Sequence, residues 1–301
     1  MRYSLLFLWA GLCFFYRVEA QNTRNFISIE NGGNGQYKSI ITSDVALDKF
    51  TIYRPKDLSV FGANIKLPVV LWANGGCANS SGGFMNFLNE IASQGLLVFA
   101  IGPFESIKNP PKDESWFKGL EVNLLDALDW VTTQNNSPES IFFNRVDITR
   151  VAVMGQSCGG LQAIEASTDP RITTLIMCNS GIINENGSTS PGMKLPEIKK
   201  DFLLKLHTPI MYLIGGVTDI AYVNATDDYS RIKHVPVAML NQEVGHGGTY
   251  FQPNGGDFAI AAIAWINWHL KNDNKSKSMF VGETCGFCKE SDWTIETKNF
   301  E

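Results

Sequence analysis

Several features that identify membrane proteins, nucleic-acid-binding proteins and metal sites are missing from this sequence. After residue 20, no run approaches the roughly 18 uncharged apolar residues that span a bilayer, so no integral membrane segment is predicted. Lysine and arginine form no dense block and the formal net charge is −5, so nucleic acid is not an expected partner. Paired histidines and a second C-x-x-C are also missing, so neither a metal nor an organic cofactor is predicted.

Internal repeats and interdomain linkers are absent from the 301 residues, of which 44% are hydrophobic and 18% charged. This composition is typical of a globular protein, and α/β folds of this length often form one domain. We predict a single domain over residues 21–270, followed by a polar C-terminal tail over residues 271–301 that contains a C-x-x-C.

The first 20 residues have the pattern of a secretory signal peptide. Arg2 supplies a short basic start, residues 5–16 form an apolar core, and Ala20 is a small residue that signal peptidase accepts. The mature chain is therefore predicted to begin at Gln21 and to be secreted. Five N-x-S/T sequons fit a secreted glycoprotein and lie at Asn79, Asn135, Asn186, Asn224 and Asn274.

The cysteines are few, and their number is odd once Cys13 leaves with the predicted signal peptide. The five that remain are Cys77, Cys158, Cys178, Cys285 and Cys288. In an oxidising compartment an odd number leaves at least one free or intermolecular thiol. The C-x-x-C lies in a polar tail and is not predicted to open a helix, which favours a local structural disulfide over half a zinc site or a redox pair.

Dense apolar runs alternate with amphipathic segments along residues 67–270. The runs predict buried strands at residues 67–73, 96–101, 151–154, 172–177, 210–214 and 237–240. Apolar residues at helical spacing predict helices near residues 84–95, 120–131 and 258–270, and two alternating segments, 37–41 and 50–53, predict antiparallel edge strands. The order predicts an α/β fold with a mainly parallel sheet between helices. Residues 179–207 form the one sizeable insertion, with a short helix at 196–206, and are too few for a large lid.

One strand-turn-helix segment has the pattern of a nucleophile elbow. Residues 151–154 are apolar and run directly into Gly155-Gln-Ser-Cys-Gly159, and residues 161–167 are compatible with a helix. A Cβ at Gly155 or Gly159 would crowd the strand against the helix, so the glycines suit a sharp turn with Ser157 at its apex. The segment predicts a nucleophilic serine, and the alternative is a plain strand-to-helix turn.

A serine hydroxyl needs a base to take its proton and an acid to orient that base. His246 lies past the last predicted parallel strand, where Gly245 and Gly247 would let its imidazole reach over the sheet edge. Three other histidines are predicted to be structural or solvated: His207, His234 and His269. The alternative for His246 is a surface loop histidine.

The acid is expected after the strand at residues 210–214, because elbow enzymes of this kind keep the chain order serine, acid, histidine. Asp219 is the first carboxylate in that position. Asp227 and Asp228 come later, in a segment predicted to be a surface helix. Asp219 is therefore the candidate acid, and the alternative is an aspartate that caps a turn.

A tetrahedral intermediate formed on the serine also needs two backbone N–H groups directed at its oxyanion. One is predicted from Cys158, the residue after the nucleophile, and the other from the loop after the first parallel strand, with Gly76 ahead of Cys77. If these segments converge on one oxygen, Cys77 and Cys158 lie close enough to form a disulfide. Cys285 and Cys288 would then pair locally and leave Cys178 free. The alternative is that Cys77 and Cys158 are two small buried residues.

From about residue 67 to residue 270 the chain resembles an α/β-hydrolase, in the secreted branch similar to dienelactone hydrolases, chlorophyllases and bacterial cutinase-like polyester hydrolases. The resemblance depends on residues 74–76, 155–160, 216–219 and 245–247. It implies a triad of Ser157, Asp219 and His246. Two positions depart from the pattern: asparagine at 74 replaces the histidine of many lipases, and Ser157 stands where dienelactone hydrolases have cysteine.

The expected function is a secreted serine esterase that cleaves a small-molecule or polymeric carboxylic ester through an acyl-enzyme. The short insertion favours soluble or polymer-surface esters over long triglycerides. The alternative enzyme is a peptidase or acyltransferase with the same triad. The alternative from another class is a hydrolase fold that has lost catalysis and serves as a binding protein, which usually lacks a triad member.

Overall fold

The computed structural model describes residues 26–184 and 195–300. The predicted signal peptide, the sequon at Asn186 and the middle of the insertion at 179–207 lie outside these ranges. No helix within them is long and apolar enough to cross a bilayer.

Nine strands of the described residues join in one sheet. They are β1 (Ser39–Thr42), β2 (Phe50–Pro55), β3 (Leu67–Ala73), β4 (Leu97–Ile101), β5 (Val146–Gln156), β6 (Thr174–Cys178), β7 (Ile210–Ile214), β8 (Val237–Asn241) and β9 (Thr294–Lys298). The α-helices of the same ranges are α1 (Met85–Ser93), α2 (Leu125–Asn136), α3 (Cys158–Ala166), α4 (Tyr222–Arg231), α5 (Gly256–Lys271), α6 (Asn274–Lys277) and α7 (Gly286–Lys289).

The strand order is β1-β2-β4-β3-β5-β6-β7-β8-β9. From β4 to β8 every neighbouring pair is parallel, whereas β1, β2 and β9 pair antiparallel at the two edges. Parallel strands end at the same edge of a sheet, so the turns that follow β3, β5, β6, β7 and β8 gather there. That edge is where the candidate site lies.

Helices cover both faces of the sheet, and the central strands β3 and β4 are apolar and buried at every position. Along β3, Val69 and Leu71 pack in one core cluster with side chains of α2 and α3, while Val70 and Trp72 pack in a second cluster with α1 and α5. Successive strand residues point to opposite faces, so a strand between two helical layers has to be apolar throughout. This mixed sheet between helices agrees with an α/β-hydrolase fold.

Two predicted helices begin later or are tighter than expected. The helix predicted from residue 120 begins at Leu125, because Val122 is extended and the Asn123 side chain accepts the Leu125 N–H at 3.0 Å. A 3₁₀ helix, Glu114–Glu121, precedes it. In the insertion, the predicted helix at 196–206 is a 3₁₀ helix over Lys200–Lys205, preceded by extended backbone at Lys199.

The polar tail adds structure that its composition did not predict. β9 pairs antiparallel with β8 and becomes the edge of the sheet. Phe280 and Phe287 are buried, and the ring of Phe280 lies 5.1 Å from that of Trp265 in α5. A few apolar side chains therefore fix residues 271–300 to the domain, although most residues around them are polar.

Candidate active site

Ser157 lies on a sharp turn between β5 and α3. Its backbone has φ 53° and ψ −118°, a conformation that a non-glycine residue rarely adopts. A Cβ at Gly155 would come within 2.2 Å of the Gly159 carbonyl oxygen, and one at Gly159 within 2.2 Å of the Ala73 carbonyl oxygen. The two glycines are thus required by close backbone approach, as the sequence predicted.

The hydroxyl of Ser157, the imidazole of His246 and the carboxylate of Asp219 form one hydrogen-bonded series. Ser157 Oγ lies 2.9 Å from His246 Nε2, and His246 Nδ1 lies 2.6 Å from Asp219 Oδ1. A carboxylate can only accept, so Nδ1 carries the proton and Nε2 is free to accept from the serine. This geometry lets the imidazole take the hydroxyl proton.

Asp219 follows β7 and is 3% exposed. Burial raises the pKa of Asp219, but the hydrogen bonds that it accepts outweigh this effect and hold the pKa below its usual value. Their donors are His246, Asn179 and the backbone N–H groups of Gly215 and Ala221. The carboxylate is therefore ionised next to the imidazole at neutral pH.

The rival aspartates are engaged in ion pairs at one end of the insertion. Lys200 Nζ lies 2.6 Å from Asp228 and 3.1 Å from Asp227, and Arg231 Nε lies 2.8 Å from Asp227. Burial raises the pKa of Asp228 to about 6 in spite of its lysine partner. Through these ion pairs, both aspartates hold α4 against the 3₁₀ helix at Lys200–Lys205.

The three other histidines lie in different surroundings. The ring of His269 stacks against Trp268 in α5, and burial lowers its pKa to about 4. His234 Nε2 lies 2.8 Å from the carbonyl oxygen of Leu206, and His207 is exposed.

Asn74 fixes the loop that carries the candidate oxyanion donors. Its Nδ2 donates to the carbonyl oxygens of Ala78, at 2.9 Å, and Ile101, at 2.7 Å, while its Oδ1 accepts from Trp72 Nε1. An asparagine in place of the lipase histidine thus supplies three hydrogen bonds to neighbouring backbone and core. The loop after β3 is held to the end of β4.

The next residues turn the loop toward α3. Gly76 and Cys77 both have positive φ, 64° and 49°. Cys77 is bonded to Cys158, the first residue of α3, with 5.2 Å between their Cα atoms. The first N–H groups of a helix have no partner within it, so the Cys158 N–H is available at the turn beside Ser157.

The other cysteines are arranged as predicted. Cys285 and Cys288 form a local disulfide in the tail, and Cys178 is a buried free thiol. The expectation that the C-x-x-C does not open a helix was wrong, because Cys285 is the N-cap of the one-turn helix α7. Within the described ranges, no three or more His, Cys, Asp or Glu side chains are arranged to hold a metal ion.

Two residues near the candidate triad were not singled out by the sequence. Gln156 donates through Nε2 to the His246 carbonyl oxygen at 3.1 Å, and its Oε1 fills the space that a Cβ on Gly75 would need. Asn179 contacts Asp219 directly, at 2.6 Å. The available signal was their position: each stands at or just after the end of a parallel strand, as do Ser157 and Asp219.

Comparisons with known proteins identify the family to which the chain belongs. Cutinase 2 of Thermobifida cellulosilytica is 24% identical over 229 residues, which cover 75% of this chain and 74% of that protein. Cutinase cut1 of Thermobifida fusca is also 24% identical over 229 residues, 75% of this chain and 61% of its own length. The chain therefore spans about three fifths of the second relative.

A family model described as PETase: PET hydrolase-like matches residues 15–189, more than half of the chain. The sheet with its helical layers is the scaffold expected of that family, and the resemblance to cutinase-like polyester hydrolases is confirmed. The chain belongs to the PET hydrolase-like family, and with it to the carboxylic ester hydrolases.

Proposed function

We propose that the protein is a secreted serine esterase that cleaves carboxylic esters through an acyl-enzyme. Ser157 is the nucleophile, and His246 is the general base and acid. Asp219 orients the His246 imidazole and stabilises its positive charge when it is protonated. One observation carries this proposal: Ser157 Oγ, both ring nitrogens of His246 and Asp219 Oδ1 are joined by contacts of 2.9 and 2.6 Å. Such a series activates a hydroxyl that is otherwise a weak nucleophile.

In the first half-reaction, Ser157 Oγ attacks the ester carbonyl carbon while its proton passes to His246 Nε2. The carbonyl oxygen becomes an oxyanion that accepts from the N–H of Cys158 and from that of Gly76 or Cys77. When the C–O bond breaks, the imidazolium gives its proton to the departing alcohol. A water then repeats these steps on the acyl-enzyme and releases the acid.

The substrate that best fits the surroundings is an ester at the surface of an apolar polymer. Large apolar side chains are exposed next to the candidate triad: Ile220 (76% exposed) directly follows Asp219, Val223 (68%) lies in the first turn of α4, and Phe251 (62%) lies in the loop that carries His246. Exposed apolar side chains in a group often mark a surface that binds a partner. We propose a site without a large lid, so that these residues meet a flat substrate while Ser157 reaches the ester.

Secretion and domain organisation are part of the same proposal. The N-terminal pattern of residues 1–20, the five sequons and the two disulfides are all typical of an extracellular glycoprotein. We propose one domain that begins at Gln21 and extends to residue 270, to which the last residues add an edge strand.

The proposed chemistry is tested by labelling with a fluorophosphonate, which reacts with an activated serine. We expect one label per chain, located at Ser157 by peptide mapping, and hydrolysis of p-nitrophenyl butyrate that is lost in proportion to labelling. Acid is expected to slow both reactions, because a protonated imidazole cannot accept the serine proton. An unlabelled Ser157 together with no ester turnover would favour a binding protein.

The proposed substrate class is tested by weakening the apolar surface. The double variant Ile220→Ser/Val223→Ser is expected to hydrolyse a polyester film several-fold more slowly, because each side chain is only partly buried against the polymer and so contributes a fraction of the about 1.5–3 kcal/mol of complete burial. Turnover of soluble p-nitrophenyl butyrate should stay within about threefold of the parent. Val45→Ser, at an exposed residue between β1 and β2, is the matched control. Equal losses on both substrates would argue against polymer binding here.

A further inference from the structure

Asn179 lies directly after β6 and is fully buried beside Asp219. Its Nδ2 donates to Asp219 Oδ2 at 2.6 Å and is 3.3 Å from the carbonyl oxygen of Gly245, the residue before His246. Its Oδ1 accepts from the hydroxyl of Tyr250 at 2.5 Å. One side chain therefore links the loops that carry the acid and the base.

The direction of each hydrogen bond in this group is determined. The Tyr250 hydroxyl donates to the amide oxygen, which turns the amide NH₂ toward the carboxylate. Asp219 Oδ2 then accepts from Asn179 and from the Gly215 N–H at 2.9 Å, which leaves Oδ1 for His246 and the Ala221 N–H. Rotation of the carboxylate away from His246 would break the bonds at Oδ2.

We propose that Asn179, oriented by Tyr250, is a positioning residue that keeps Asp219 ionised and turned toward His246. This role rests on the proposed triad, and it adds to it a neutral donor on the side of the carboxylate opposite the imidazole. A hydrogen bond to a charged group contributes more than one between neutral groups. Loss of this donor should therefore be felt in the chemical step.

Two titratable groups among the described residues interact with Asp219: His246 and Tyr250, both from the loop after β8. Cys178, at the end of β6, contacts Tyr250, and Glu243 accepts the Val217 N–H at 3.3 Å, two residues before Asp219 in the chain. Burial raises the pKa of Cys178 to about 12 and that of Tyr250 well above its usual value. Both side chains are therefore neutral over the pH range of the kinetic assay. A second carboxylate at position 179 would face Asp219 directly.

The variant Asn179→Asp tests the role, because it keeps the shape of the side chain and makes the donor depend on pH. Asparagine and aspartate both tolerate the backbone at residue 179, where φ is 42°. Two carboxylates this close share one proton, and the protonated form donates as the amide did. When the proton leaves, the donor is lost and the two charges repel.

We expect kcat for p-nitrophenyl butyrate in Asn179→Asp to rise with pH as in the parent and then to fall, with KM little changed. The fall should be about 10- to 100-fold, the range for a hydrogen bond to a charged group. Asn179→Leu, which cannot donate at any pH, should lose a similar factor throughout, with its acid limb at higher pH. Tyr250→Phe should lose a few-fold in kcat and provides a second test if the Asn179 variants fold poorly.

Asn241→Asp is the matched control, since Asn241 ends β8 and its side-chain oxygen accepts the Gly216 N–H at 2.8 Å. Aspartate keeps that acceptor and adds a charge near the same loop, so its pH profile should have the parent shape. A parent-shaped profile in Asn179→Asp, or a loss that is equal at every pH and matches a lower Tm, would overturn the role. So would an unchanged kcat in Tyr250→Phe.

Fluorophosphonate labelling separates this inference from the proposed function. If the parent labels at Ser157 and Asn179→Asp behaves like Asn241→Asp, the role of Asn179 is wrong and the triad stands. If the parent does not label and Ser157→Ala keeps its turnover, the triad is wrong and the role of Asn179 is overturned with it.

Discussion

Replacing Ser157 with alanine is expected to lower kcat for ester hydrolysis by roughly 10³-fold or more. In the proposed mechanism the hydroxyl oxygen bonds to the acyl group, and alanine leaves His246 with no proton to take. The fold should be unchanged, because the Ser157 backbone conformation depends on close packing of Gly155 and Gly159 and not on the hydroxyl. Steady-state kinetics with p-nitrophenyl butyrate measures the loss, and circular dichroism checks the fold.

Ser167→Ala is a suitable control for that experiment. Ser167 follows α3 at the end remote from the elbow, is buried and donates to the Ile164 carbonyl oxygen. The control loses a buried hydroxyl at the other end of α3 and should keep parent-like turnover. Near-normal turnover by Ser157→Ala would exclude this serine as the nucleophile.

The variant Asp219→Asn is expected to lower kcat by about 10⁴-fold while substrate binding changes little. An amide at this position carries no negative charge to stabilise the protonated imidazole. Its NH₂ group also favours the histidine tautomer with the proton on Nε2. That nitrogen then cannot accept from Ser157 Oγ, 2.9 Å away. The pH dependence of kcat/KM should show the loss at every pH at which the parent is active.

Asp227→Asn and Asp228→Asn provide the comparison. Asp227 is partly exposed, so its variant should be nearly silent. Asp228 is buried against Lys200, and removing one partner of a buried pair costs roughly 3–5 kcal/mol of folding free energy. Asp228→Asn should thus lower Tm while folded molecules keep most of their kcat. If either variant lost more kcat than Asp219→Asn, the acid would have to be reassigned.

Much of the fold could be predicted because its central strands are buried on both faces. Residues 67–73 and 210–214 are strands with the predicted bounds, since a continuous apolar run between Gly, Pro and polar residues has few other solutions. Chain order then placed Ser157, Asp219 and His246 at one edge of the sheet. The glycines around Ser157 and His246 helped to identify both residues, because glycine suits the turns that follow the strands.

The tail and the surroundings of Asp219 could not be predicted in the same way. β9 has the pattern Thr-Ile-Glu-Thr-Lys, with one apolar residue, and pairs with β8 through backbone groups that any sequence provides. Asn179 and Gln156 act through tertiary contacts with loops 40 and 90 residues away. No local pattern records those distances.

The Cys77–Cys158 bond also determines what becomes of the molecule once it is unfolded. It closes a covalent ring that contains α1, β4, α2 and β5. In the chain-entropy model, a ring of this size lowers the conformational entropy of the denatured chain, which stabilises the folded state by about 4–5 kcal/mol. Because the ring closes between the turn beside Ser157 and the loop after β3, heat can separate the strands but leaves these two segments tethered. Refolding can therefore begin with the turn at Ser157 and the loop after β3 already joined.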